Sequence, residues 1–193
     1  TIDGSTCAES ASSLSNSSGY LVFDFDPGCS PKFEVGQQKW KVVMENSSLF
    51  SNPDSWDDGN HYFMYIWGDI IIDVTKPDEG STYNRKDDVY FAAAVFDDCG
   101  DELNVDSILF HAEKGTWNET CGDDEAIGHP VTGYYDCTWY SVNASEGWYN
   151  ATANATKEYY YPNMTRNYNA TLGGWFFIAT PPTVRNARVE PYS

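Results

Sequence analysis

Eight asparagines in this chain are followed two places later by Ser or Thr, with no intervening Pro: Asn16, Asn46, Asn118, Asn143, Asn150, Asn154, Asn163 and Asn169. Each triplet can accept an N-linked glycan, the sugar being joined to the Asn side-chain amide in a protein that passes through a secretory route. Ser and Thr supply 31 of the 193 residues. Composition alone would therefore place only about two or three such triplets among the chain's asparagines. Five acceptors between positions 143 and 169 predict an outward-facing stretch, with covalent N-glycans as the expected non-protein component and no other cofactor required.

Other chemistry is sparse. His61, His111 and His129 are widely separated and suggest no shared site. No Gly-x-Ser-x-Gly elbow, phosphate-cradling Gly-rich loop or His-Glu-x-x-His motif occurs. Carboxylates cluster in Asp97-Asp98-Cys99-Gly100-Asp101 and in Cys121-Gly122-Asp123-Asp124. Hard cations take six to eight oxygens, so Asp97, Asp98, Asp101, Asp123 and Asp124 are calcium candidates, set against the alternative of solvated acidic turns. Aromatic residues make up 16% of the chain. Trp56, Trp117, Trp148, Tyr149 and Tyr168 fall at expected loops or strand ends, where their faces could stack on sugar, either the protein's own glycans or a foreign polysaccharide.

The segment Glu158-Tyr159-Tyr160-Tyr161 resembles the Glu-Tyr-Tyr segment of the jelly-roll xylanases. That resemblance implies a second glutamate across a cleft, since a retaining glycosidase needs two carboxyls about 5 Å apart. The only later glutamate is Glu190, beside Pro191. No catalytic residues are therefore assigned, and the chain is expected not to be an enzyme.

The elements that must position these groups read as strands. Short runs of alternating or continuous apolar residues recur from Tyr20 onward: Tyr20 to Asp26, Trp40 to Met44, His61 to Trp67, Ile70 to Val74, Val89 to Phe96, Val105 to His111, Tyr134 to Val142, Glu158 to Tyr161 and Trp175 to Thr180, with Val184 to Val189 as an edge strand. Turn residues separate them and no 3.6-residue period is sustained. The prediction is all-β, a single antiparallel β-sandwich or jelly-roll-like domain of about nine strands over 20–193, preceded by an extended polar arm over 1–19.

Five cysteines in a chain with this many glycan acceptors imply oxidising surroundings. The pairs expected are Cys7 with Cys29 and Cys99 with Cys121, all in turn-rich segments. Cys137 is left over inside an aromatic strand, as a buried thiol or a bridge to another molecule. The formal charge of −18 repels nucleic acid phosphate and anionic lipid. No apolar run approaches the length of a membrane helix, so neither nucleic acid binding nor membrane insertion is expected. The chain begins at Thr1 without a leader core, as expected of a processed, secreted or cell-surface protein. Together these features predict an extracellular, heavily N-glycosylated structural glycoprotein that self-assembles with copies of itself into a surface layer or filament, by N-terminal arm or strand exchange. The alternative is an extracellular carbohydrate- or ligand-binding module, with calcium as a candidate cofactor.

Overall fold

The computed structural model describes residues 16–20, 22, 24–30, 32–40, 62–122, 133–161, 163–165 and 174–181. Twelve strands occur among them: β1 (Gly36–Trp40), β2 (Tyr62–Ile66), β3 (Gly68–Lys76), β4 (Thr82–Asn84), β5 (Asp88–Asp97), β6 (Ser107–Lys114), β7 (Trp117–Cys121), β8 (Tyr134–Tyr140), β9 (Gly147–Thr156), β10 (Tyr160–Tyr161), β11 (Asn163–Thr165) and β12 (Trp175–Ala179). The chain divides into two compact units, Thr1–Gly68 with Glu158–Tyr161, and Asp69–Lys157 with Pro162–Ser193.

The second unit is a β-sandwich. In one layer β5 lies between β3 and β8, antiparallel to both. The other layer runs β4-β12-β9-β6-β7, with β11 also paired to β9. Its pairings are antiparallel except for the parallel contact of β4 with β12. Strand alternation puts Val89, Phe91, Ala93 and Val95 of β5 on the inner face, where all are buried, while Tyr90 points the other way. The Ala92-Ala93-Ala94 run has good helix propensity, yet it forms strand because hydrogen-bonding neighbours on both edges and apolar burial outweigh that preference.

Phe91 and Trp139 from the first layer meet Phe110, Tyr149 and Phe176 from the second. Phe91 lies 5.9 Å from Phe176 edge-on, and Tyr149 stacks on Phe176 at 5.6 Å between centroids. Each such pair contributes roughly 0.5–1.5 kcal/mol beyond area burial. The core-facing side of β9 carries Tyr149, Ala151, Ala153 and Ala155, all fully buried. The alanines leave room for the large rings opposite.

In the first unit, β1 and β2 pair in antiparallel register from Gly36 against Ile66 to Trp40 against Tyr62. Between Ile66 and Ile70 the chain changes partner, since β2 pairs with β1 and β3 with β5. The register irregularity of β3 lies further on, between Val74 and Lys76.

Several expected elements differ. Tyr20 to Asp26 is not a strand at its described residues, and Tyr20 and Val22 are exposed. Asn16 Oδ1 accepts the backbone N–H groups of Ser18 and Tyr20, both at 2.9 Å, so a side chain takes up the Tyr20 donor that a ladder would need. The expected strand Tyr134 to Val142 ends at Tyr140 in a 3-10 turn, Ser141–Asn143. β4, β7, β9 and β11 are additional to the expected set. Of the expected arm, residues 1–15 lie outside the described residues, as do 41–44 and 184–189.

Candidate glycan-bearing face and aromatic strip

The residues of β9 from Asn150 to Thr156 read Asn-Ala-Thr-Ala-Asn-Ala-Thr. A two-residue period sends the alanines into the core and aligns Asn150, Thr152, Asn154 and Thr156 on the opposite face. Two acceptor triplets thus occupy a strand held on both edges, by β6 on one side and by β12 and β11 on the other. Asn118 joins them. Glu113 is the register partner of both Asn118 on β7 and Asn150 on β9, so Asn118, Glu113 and Asn150 form one row across three strands. Strand spacing sets the two asparagines about 9–10 Å apart. In the next row Thr120, His111 and Thr152 stand opposite one another.

The face is polar but only half open. Asn118 is exposed, Asn150 and Asn154 are half-buried, and Thr152 is fully buried. Thr152 Oγ1 donates to Glu113 Oε1 at 3.3 Å, and His111 Nδ1 lies 3.3 Å from Asn118 Oδ1. Asn150 Oδ1 and His111 Nε2 are sealed from solvent without a hydrogen-bond partner. Of the remaining acceptors, Asn16 and Asn143 are exposed. Asn163 is placed by its backbone, opposite Ala155. Asn46 and Asn169 lie outside the described residues.

The candidate stacking aromatics separate into two groups. Tyr149 is a core residue, fully buried. Trp117 is half-buried and packs edge-on against Trp139 and Tyr149. Both face inward because β7 and β9 are strands, where a loop or strand end was expected. Trp148 is 52% exposed on the outer face. There it lies in register with Phe177, with ring centroids 5.3 Å apart. Trp56 and Tyr168 lie outside the described residues.

A second aromatic surface, unforeseen in the sequence, belongs to the first unit. Tyr65 stacks on Tyr159 at 5.8 Å, Trp67 meets Tyr159 edge-on at 6.1 Å, and Trp67 lies 5.4 Å from Tyr161. Tyr65, Trp67 and Tyr161 are all about half exposed or more. Gln37 Nε2 donates to the Tyr65 hydroxyl at 3.0 Å. Tyr159 has a positive φ of 63°, an uncommon conformation for a bulky residue. A Cβ on Gly36 would come within 3.2 Å of its ring, so glycine clears its place. A hydrogen bond with Glu158 holds the Tyr159 phenol above its ordinary pKa. The alternation of Tyr62 to Trp67 and the Glu158 to Tyr161 segment were each visible, but only folding brings them together.

The cysteine pairing is corrected. Cys121 is bonded to Cys137, with Cα atoms 6.0 Å apart, so Cys121 is not available to Cys99 and Cys137 is neither a free thiol nor an intermolecular bridge. The cause is strand geometry: Cys121 ends β7 and Cys137 lies on the inner face of β8, and these strands stand across the sandwich from each other. Trp139 Nε1 donates to Glu119 Oε2 at 2.8 Å across the same gap. Cys29 and Cys99 are also disulfide-bonded, and Cys7 lies outside the described residues. The disulfides fit an extracellular module.

Asp97, Asp98 and Cys99 place potential ligand atoms within 4.8 Å of one another. Cys99 is committed to a disulfide and offers no thiolate. Asp97 is buried, and its Oδ1 accepts the N–H groups of Cys99 at 3.0 Å and Asp101 at 2.9 Å. This is the pattern of a carboxylate that shapes a turn. Asp123 and Asp124 lie outside the described residues. No helix among the described residues is long and apolar enough to cross a membrane.

No protein-family model matches the chain, and no curated protein matches it. Among solved structures, the chain is similar to the fibronectin(III)-like modules of Clostridium thermocellum CbhA, at 13% identity and a TM-score of 0.37, covering 59% of this chain and 100% of that one.

Proposed function

We propose that this chain is a secreted, N-glycosylated, non-catalytic structural subunit that assembles with copies of itself by strand addition. The observation that carries this reading is β8, the last strand in its layer's order. Among the described residues, the register partners of 137–140 are all on β5. An edge of this kind is a template for an extended segment, which gains main-chain hydrogen bonds by adding to it. The polar N-terminal arm is the segment suited to the task, and sugar on the β9 face would confine contacts to other surfaces. Multi-angle light scattering of the glycosylated protein over a range of concentrations tests this. Growth beyond the monomer mass is expected, and its suppression by Thr138→Lys, which puts a charge on the exposed edge. A monomer at every concentration would overturn it.

Polysaccharide binding is the second function that a specific observation favours. Tyr65, Trp67, Tyr159 and Tyr161 form a connected, partly exposed aromatic surface. Such rings can stack on the apolar faces of pyranoses. A glycan array probed with the native protein and with Trp67→Ala distinguishes the two: retention of specific sugars by the native protein alone supports binding.

A further inference from the structure

The outer face of the β9 layer carries a second feature beside its acceptors. Trp148, Asn150 and Thr152 alternate along one side of β9, and Trp175 on β12 is the register partner of Asn150. Trp175 is 45% exposed, and Phe177, one alternation further, is the partner of Trp148. Asn150 thus has an indole two residues before it on its own strand and another directly across. Directly opposed Cβ atoms in an antiparallel pair lie about 4.5–5.5 Å apart, and diagonal neighbours are still within reach of large side chains.

We propose that an N-linked glycan on Asn150 folds back on its own sheet, its first pyranose stacking by its C–H face on Trp148 and Trp175. This rests on the glycoprotein reading above and names which acceptor has a structural role. Three observations converge on it. Both indoles leave apolar ring surface in water, which a tethered sugar would cover without losing the translational freedom that a free ligand loses. Asn150 is half-buried and its Oδ1 is sealed from solvent, so the amide lies close against the sheet rather than projecting away from it. Among the described residues, the register row of Asn118 holds Glu113 and Asn150 and no indole, and Asn143 lies in the short 3-10 turn with no strand partner across it. The same surface without sugar would be an exposed aromatic patch of the kind that promotes association.

The test uses the protein from a glycosylating host. Mass spectrometry of the peptide spanning 147–156 should find hexose-containing glycan on Asn150. Enzymatic deglycosylation of the folded protein should raise acrylamide quenching of tryptophan fluorescence, and Asn150→Gln should reproduce most of that rise and lower Tm by about 2–4 °C. In the Asn150→Gln background, Trp175→Ala should cause no further quenching change attributable to lost sugar contact. Deglycosylation after folding keeps the test valid if Asn150→Gln fails to fold. A bare Asn150 alongside an occupied Asn143 or Asn16 would overturn the inference and leave the glycoprotein reading intact, as would an occupied Asn150 whose removal leaves quenching unchanged. Bare asparagines at all eight positions would overturn both.

Discussion

Cys121 at the end of β7 and Cys137 on the inner face of β8 join the two layers of the sandwich along one side. They lie 16 residues apart in the chain. Closing a loop of that length in the unfolded state corresponds to about 3 kcal/mol of stabilisation on the chain-entropy account. Cys121→Ser with Cys137→Ser should lower the urea midpoint by an amount matching about 2–4 kcal/mol. An unchanged midpoint, or a non-reduced peptide map lacking the Cys121 to Cys137 linkage, would refute the assignment.

Tyr90 donates its phenolic hydrogen to Asp136, its diagonal neighbour on β8. Ionising that phenol would discard the hydrogen bond and set a phenolate beside a carboxylate, so its pKa is pushed well above the ordinary tyrosine value. Because the folded value is raised, the resulting stability is present below pH about 10 and is lost as pH climbs toward the folded value. The site is largely exposed, so the effect is small. Ultraviolet titration of the native protein should show a tyrosine that ionises only at raised pH and that is lost in Tyr90→Phe. If Tyr90→Phe instead removes amplitude in the ordinary tyrosine range, about pH 10, the bond is refuted.

Asp97 is buried, with one carboxylate oxygen accepting two backbone N–H groups. Asp97→Ala leaves those donors without their acceptor and should cost about 1–3 kcal/mol, read by thermal or urea unfolding. The loss should be the same with calcium and with chelator, because the carboxylate acts on the turn directly. A loss that appears only when calcium is present would instead mark a cation site.

Gly68 sits against Tyr160 in the first unit, where an added Cβ would come within 2.7 Å of the ring and 3.0 Å of Val35. Its N–H also donates to the Tyr159 carbonyl at 3.1 Å. Gly68→Ala must displace the ring and should cost about 1–3 kcal/mol. Near-ultraviolet circular dichroism should register the shifted aromatics. A variant with native spectrum and stability would show that Tyr160 is not held there.

How much of this could be read from the residues depended on where apolar character lay. β3, β5, β6 and β12 carry Ile, Val or Phe in runs that announce themselves. β9 does not, because alanine supplies its core face and Asn and Thr its outer face, a composition that resembles a polar loop. Taking β9 for loop also misplaced Tyr149, which is core, and taking Trp117 to Cys121 for a turn hid the partner of Cys137. The acceptor triplets were plain, but their rows across three strands depend on register, which no single stretch encodes. The strip of Tyr65, Trp67, Tyr159 and Tyr161 needed two segments about ninety positions apart to meet.

The position of β9 also sets an order of events. Its backbone is hydrogen-bonded to β6 along one edge and to β11 and β12 along the other. An enzyme that must grip the main chain around Asn150 or Asn154 has no access once those ladders close. Any sugar on these two residues must therefore be attached while the segment is still loose, and the strand then zips into place already carrying it.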